Sequence, residues 1–208
     1  MSSTRPPRHY RSPSETGTSC WRQRVGARLS RDILIGRGCR AVPTAIRQMI
    51  ESHGPYPANV INRWWELVDA NEAARRFFPQ SGDGPIDLVD AFLRPGPTRD
   101  TIENFSVVGW TFLRRLRGEV VADSGPDERL QELLERAESY MKDVSVDTET
   151  LGFELVACPH FRIGDQVIKT VSMVSRFGTA REVTLDEFRV ELVFPRDEEG
   201  ETVFRYSG

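Results

Sequence analysis

The sequence predicts an α+β domain: a curved antiparallel sheet split by a helical insertion, with helices over one face. Three observations carry that expectation. The stretch Pro57–Phe78, PANVINRWWELVDANEAARRFF, reads as two short strands running into a capped helix. Between Thr98 and Met141 the apolar residues recur at helical spacing. From Leu151 onward they alternate with a period of two, the signature of half-buried strands.

In chain order, residues 1–41 form a basic arm and residues 42–208 the domain. The arm is rich in Ser, Arg, Pro and Gly, and its scattered apolar residues allow at most one short helix over Arg22–Ile35. Pro43 opens a helix with Ile46, Met49 and Ile50 on one side, and Gly54-Pro55 ends it. Val60 and Ile61 end the first strand, and Asn62-Arg63 makes the turn. Trp65, Leu67 and Asp69 then share one face of the second strand, with Trp64, Glu66 and Val68 on the other. Asn71 is placed to cap the next helix, where Glu72 suits the positive end of the dipole. Ala73, Ala74, Phe77 and Phe78 supply its buried side, and Pro79 stops it.

Ser81–Pro85 is a loop, Ile86–Leu93 a short helix, and Pro95-Gly96-Pro97 a break. A helix over Thr98–Val121 aligns Ile102, Phe105, Val108, Phe112, Leu113 and Leu116, with Trp110 near the stripe's edge and Gly109 permitting close approach. Ser124 caps a second helix, with Pro126 in its first turn and Asp127 at the capping-box position. Its buried side is Leu130, Leu133, Leu134, Ala137 and Met141; Glu132, Glu135 and Arg136 make a solvated face. Phe153, Leu155 and Ala157 then alternate as a strand. Gly164-Asp165 is a hairpin turn into a long strand, Gln166–Phe177, with Val167, Val171, Met173 and Phe177 on one face. Thr184 and Glu187 suit a capping box for one helical turn. Phe188, Val190, Leu192 and Phe194 alternate with outward Arg189 and Glu191, and a last strand spans Thr202–Tyr206.

The chain has 208 residues, enough for one domain plus an arm, and its 38% apolar content is adequate for a core. No apolar run approaches the ~18 residues of a membrane span. Cys20, Cys39 and Cys158 are too few and too scattered for a disulfide framework or a zinc site, so a reducing cytoplasm is expected. The net charge of −3 hides an asymmetry: nine arginines against Glu15 and Asp32 give residues 1–42 a net of +7, leaving −10 for the rest. The acidic body repels nucleic acid. The arm offers phosphate contacts but no helix to read base edges, so specific DNA binding by this chain is not expected.

Catalytic groups are scarce. The histidines are His9, His53 and His160. Cys158-Pro159-His160 is the one suggestive pair, a conceivable thiolate–imidazole dyad for a small hydrolase. The intervening proline argues against strand geometry there, and a structural role is the better reading. The sequence holds no GxGxxG, P-loop or HExxH motif, and no metal or cofactor is expected.

The strand pair entering a capped helix is how PAS-like sensory folds begin, and its wording resembles the opening of the MmyB-like ligand-binding domain. That family stands behind a helix-turn-helix in bacterial XRE-type transcription regulators. Pro57-Ala58, Arg63, Asn71 and Ala73-Ala74 fit its pattern, whereas Ala70 stands where the family carries a second tryptophan. A second stretch, Arg176–Glu199, RFGTAREVTLDEFRVELVFPRDEE, resembles the family's closing strand pair, with its Phe-Gly-Thr turn and Phe-Pro-x-Asp end. The resemblance covers roughly 42–205 and implies a PAS-like fold in a bacterial, cytoplasmic regulator acting as a dimer. The arm then reads as an unstructured tail, a remnant or a mis-assigned start. The transit-peptide alternative would require a eukaryotic source.

The expected function is non-enzymatic sensing of a small apolar ligand such as a fatty acid, as the resemblance implies. Candidate ligand-binding residues are Trp65, Phe105, Gly109, Trp110, Leu113, Met173 and Phe177, from a sheet face and the helix expected to cover it. For any one of them a filled core is the plainer reading. The rival function is a ligand-independent dimerisation module that pairs with related regulators and titrates them off DNA. A hydrolase using Cys158 and His160 stands third.

Overall fold

The computed structural model describes residues 41–76, 85–122, 125, 127–145, 158–176 and 188–206. The arm, Phe77–Gly84, Ser124, Pro126, Phe153–Ala157, Phe177 and Thr184–Glu187 lie outside the described residues, so the expectations made for them are not met or unmet.

Helix α1 (Ala41–Ser52) leads into strands β1 (Ala58–Asn62) and β2 (Glu66–Ala70), and then the single turn α2 (Glu72–Arg75). The two-residue strand β3 (Ile86–Asp87) runs into α3 (Leu88–Leu93), followed by α4 (Pro97–Asp100), α5 (Phe105–Ala122) and α6 (Glu128–Met141). Strands β4 (His160–Ile163), β5 (Gln166–Arg176) and β6 (Phe188–Pro195) precede helix α7 (Glu198–Tyr206). The six strands form a curled antiparallel sheet in the order β3-β2-β1-β6-β5-β4. This is an α+β, PAS-like architecture, as the alternating periods predicted.

The centre of the sheet joins the two stretches that carried the family resemblance, since β1 pairs along its whole length with β6. All five residues of β1 are buried, because helices pack against both of its faces. On one side Ile61 and Leu67 meet Phe112, Leu113 and Leu116 of α5 and Leu130, Leu133, Ala137 and Met141 of α6. On the other, Ala58, Val60, Val68, Phe188 and Val190 meet Ile46 and Ile50 of α1. A register shift after Val60, which pairs with Asp69 while Ile61 pairs with Leu67, leaves Val68 as the extra residue of a bulge.

Several boundaries differ from the expectation, each for a local reason. The first turn runs to Trp65 and β2 starts at Glu66, because the Asn62 side chain accepts from the amides of Trp64 (3.0 Å) and Glu66 (2.9 Å). Ile86–Asp87 pairs with β2 instead of joining the helix, and the Asp87 carboxylate caps α3 by accepting from Val89 and Asp90. Asp127 is the cap of α6, bonded to Arg129 (3.0 Å) and Leu130 (3.1 Å). Burial opposes ionisation of Asp127, but those amides, the Trp64 indole and Arg63 outweigh it and hold the carboxyl below its ordinary value. Arg136 is not merely part of a solvated face, since it reaches Asp87 and Asp90.

The helix expected over Thr98–Val121 is two helices. Between α4 and α5 the chain turns, and this turn pairs with β4. Ile102 bridges Phe161, Glu103 N–H donates to His160 O (2.9 Å) and Arg162 N–H donates to Thr101 O (2.7 Å). Those bonds satisfy groups of an edge strand that a continuous helix would leave open. The expected last strand is helix α7. Asp197 starts it by accepting from Gly200 N–H (2.9 Å), Glu198, Glu199 and Glu201 occupy its first turn, and Glu201 pairs with Arg205 (2.9 Å).

The face of β5 is also opposite to that expected. Ile168, Thr170 and Ser172 are buried, while Val171 is 38% and Met173 59% exposed. Met173 pairs with Leu192 on the side of α1, whose contacts are chiefly with β1 and β6, so its side chain stays largely exposed. Thr170 tolerates burial because its hydroxyl donates to Pro159 O (2.6 Å).

Candidate functional site

Trp65 closes the turn between β1 and β2 with a φ of 56°, a left-handed conformation that bulky residues avoid. Its surroundings compensate for that strain. The residue is only 3% exposed, its ring lies 4.1 Å from that of Phe112, and the Arg189 guanidinium covers it at 4.1 Å. The Arg115 guanidinium lies 5.1 Å from the same ring, and the indole N–H donates to Glu119 (2.7 Å).

Beside this tryptophan lies a cavity of about 470 Å³ between α5 and the inner face of the sheet. Ile61, Val174 and Glu191 supply the sheet wall, and Leu88 and Phe92 of α3 one side. Val108, Thr111, Phe112, Arg114 and Arg115 of α5 form the roof, with Pro159 at an end. The cavity falls within the roughly 300–1,000 Å³ of small-molecule sites and shares their make-up, apolar walls with a few polar groups. The family pattern described as the MmyB-like transcription regulator ligand binding domain matches residues 42–206.

The chain belongs to that family.

Comparisons with curated proteins and with solved structures return no match. Both resembling stretches, Pro57–Phe78 and Arg176–Glu199, lie inside the matched range. The MmyB-like family is one of ligand-binding domains of transcription regulators, not a known enzyme class. No described helix is long and apolar enough to cross a membrane.

In this MmyB-like domain, most of the α5 residues expected from the sequence to bind ligand lie on a different stripe from those that line the cavity. Trp65 lines the cavity, but Phe105, Gly109, Trp110 and Leu113 do not. Those four face the helices: Phe105 lies under the Arg99 guanidinium at 4.0 Å, and the Trp110 indole donates to Val144 O (3.3 Å). Leu113 is fully buried in the helical core, and Gly109 sits against Met141 of α6. Met173 is on the outer face and Phe177 is outside the described residues. The cavity stripe is Val108, Thr111, Phe112, Arg115, displaced by about 100°, one residue around the helix. Both stripes are buried, so apolar periodicity alone does not separate them. Gly109 held the clue, because glycine allows a helix to approach another closely.

A Cβ at position 109 would lie 2.7 Å from Met141 Cε and 3.2 Å from Phe105 Cζ. Gly109→Leu is therefore expected to overpack the α5–α6 contact and cost about 2 kcal/mol in a urea unfolding series, without filling the cavity. An unchanged midpoint would mean that α6 can move away freely.

A charged cluster continues the stripe one turn beyond Arg115. Glu119 accepts from Arg189, Arg176 (3.2 Å) and the Trp65 indole, and lies 3.5 Å from Arg115. Arg189, expected on the outward side of its strand, is instead 5% exposed. Burial lowers its guanidinium from the usual range to about 10, Glu119 partly opposing this, so it remains charged at neutral pH. Its Nε and Nη2 have no partner among the described residues, and neither does the buried Thr111 hydroxyl in the cavity roof.

Cys158 and His160 meet a different neighbour. Asn104 donates to Cys158 O (3.0 Å) and accepts from His160 N–H (2.8 Å), tying the approach to β4 onto the start of α5 through its backbone. No group of three or more His, Cys, Asp and Glu gathers as a metal site among the described residues.

Proposed function

We propose that this domain senses a small, largely apolar molecule of the fatty-acid kind, held in the cavity between α5 and the sheet. The observation that carries this reading is the cavity itself: about 470 Å³, walled by Ile61, Trp65, Leu88, Phe92, Val108 and Phe112. Filling it removes ligand and wall from water at roughly 25 cal/mol per Å² of apolar surface, the driving force for an acyl chain.

A ligand that binds only the folded form raises stability by about 2.7 kcal/mol at a hundred times its dissociation constant. Thermal-shift titration with a series of saturated fatty acids is expected to raise the midpoint for the chain lengths that fit. Thr111→Leu places bulk in the roof and removes an unpartnered hydroxyl. It is expected to keep the wild-type midpoint within about 1 kcal/mol while losing most of the ligand shift. Absence of a shift at every chain length would overturn the reading.

The second reading, a dimerisation module pairing with itself or with related regulators, draws on the apolar outer face at Val171 and Met173. Native mass spectrometry separates the two, since it reports subunit number and retained ligand together.

A further inference from the structure

An apolar cavity alone would accept any greasy molecule of the right length. The cluster at its Trp65 end has a more selective chemistry, and this inference rests on the cavity being the ligand site. Three arginines, Arg115, Arg176 and Arg189, converge there on the single carboxylate of Glu119. Arg115 belongs to the cavity roof, and Arg189 stacks on Trp65, which also lines the cavity. Ile61, a cavity wall, pairs in register with Arg189 across the β1–β6 ladder. With Glu191 in the sheet wall the three arginines still outnumber two carboxylates, so positive charge exceeds negative beside an apolar chamber. Buried guanidinium donors without acceptors are costly, and two of those on Arg189 have none among the described residues.

We propose that Arg115 and Arg189 form the head-group subsite for a carboxylic-acid ligand, and that Glu119 is the internal carboxylate that occupies this subsite in the empty domain. A planar carboxylate matches the donor fork of a guanidinium, and such charge-assisted bonds are about twice as strong as neutral ones. Glu119 supplies the same group from the protein's own chain, reached from α5 one turn past Arg115. Its 3.5 Å separation from Arg115 is the loosest of its three arginine contacts, so Arg115 is the donor most readily turned to an incoming acid. The ligand's carboxylate therefore competes with Glu119 for shared arginines, and its apolar tail lies along Ile61, Val108 and Phe112.

The test compares dodecanoate, dodecanol and methyl dodecanoate, three probes with one tail and different heads, by calorimetric titration of the full chain. Wild type, Arg115→Gln and Glu119→Gln are used, the latter keeping an oxygen acceptor for Trp65. Dodecanoate is expected to bind wild type about tenfold or more tightly than either neutral probe. Arg115→Gln should erase that preference, so that dodecanoate and dodecanol bind the variant about equally. Glu119→Gln should strengthen dodecanoate about tenfold, with dodecanol unaffected, because it removes the competing charge. Should Arg115→Gln fail to melt cooperatively, Arg115→Lys reads the same preference, expected to be reduced because the planar fork is gone. Equal binding of all three probes to wild type would overturn the subsite and leave the cavity reading standing. An acid preference that survives Arg115→Gln, or a Glu119→Gln that weakens dodecanoate, would also overturn it. Binding of none of the probes would sink the cavity reading as well.

Discussion

Asn71→Ala is expected to lower stability by about 4 kcal/mol, because one side chain closes four hydrogen bonds where α1, β1 and α2 meet. Its Oδ1 accepts from Ala74 N–H, the cap of α2, and from Ala58 N–H, both at 3.0 Å. Its Nδ2 donates to Ile50 O (3.1 Å) and Tyr56 O (2.7 Å). The residue is 2% exposed, so water cannot readily replace the lost partners. Losing a cap costs about 1 kcal/mol, and each buried group left unpaired adds about 1 kcal/mol or more. Asn71→Asp separates the two roles. It retains both acceptor bonds but sets a carboxylate against two carbonyl oxygens, and should fare no better than alanine. Chemical denaturation of the three proteins checks this; a loss under about 1.5 kcal/mol for Asn71→Ala would mean that water enters and substitutes.

Glu119→Leu is expected to cost about 3 kcal/mol at neutral pH, since breaking a buried pair leaves an uncompensated charge. The stranded group is Arg189, whose side chain is 6% exposed, and the Trp65 indole loses its acceptor at the same time. Because Glu119 itself is 18% exposed, some water can enter, which places the cost at the lower end of the range for such pairs. The double variant Glu119→Leu with Arg189→Met replaces both charges by apolar groups and is expected to regain more than half of the loss. A double variant less stable than Glu119→Leu alone would show that Arg189 stabilises mainly by stacking on Trp65.

The part of the fold that was legible in the sequence is the part made locally. Asn71 announces its cap because the bonded amide lies three residues away. The Gly164-Asp165 hairpin is readable because Gly164 adopts the positive φ, 61°, that its turn requires. What was not legible depends on partners distant in sequence. Arg189 reads as an outward strand residue until Glu119, seventy positions earlier, arrives from α5. The inner face of β5 carries Thr170 and Ser172 beside Ile168 and Val174, while Val171 and Met173 face out, so hydrophobicity does not decide the side. Thr202-Val203-Phe204 has strand propensity, yet the acid-rich first turn and the Asp197 cap make it helical. The cavity suffers from the same limit: a helix buried on two stripes does not say in its sequence which one faces empty space.

The backbone of Thr101–Glu103 has a consequence for how copies of the protein could meet. By bonding to β4 it occupies the free row of amides and carbonyls at that end of the sheet, and at the other end β3 offers only two residues. At β4 and at β3 the sheet presents no long template onto which a neighbouring chain could add a strand. At β4, growth by strand-to-strand zippering, the route to fibres and many aggregates, is opposed by a short turn of the protein's own chain. Self-association at these two ends is left to side-chain contacts, where charge and shape choose the partner.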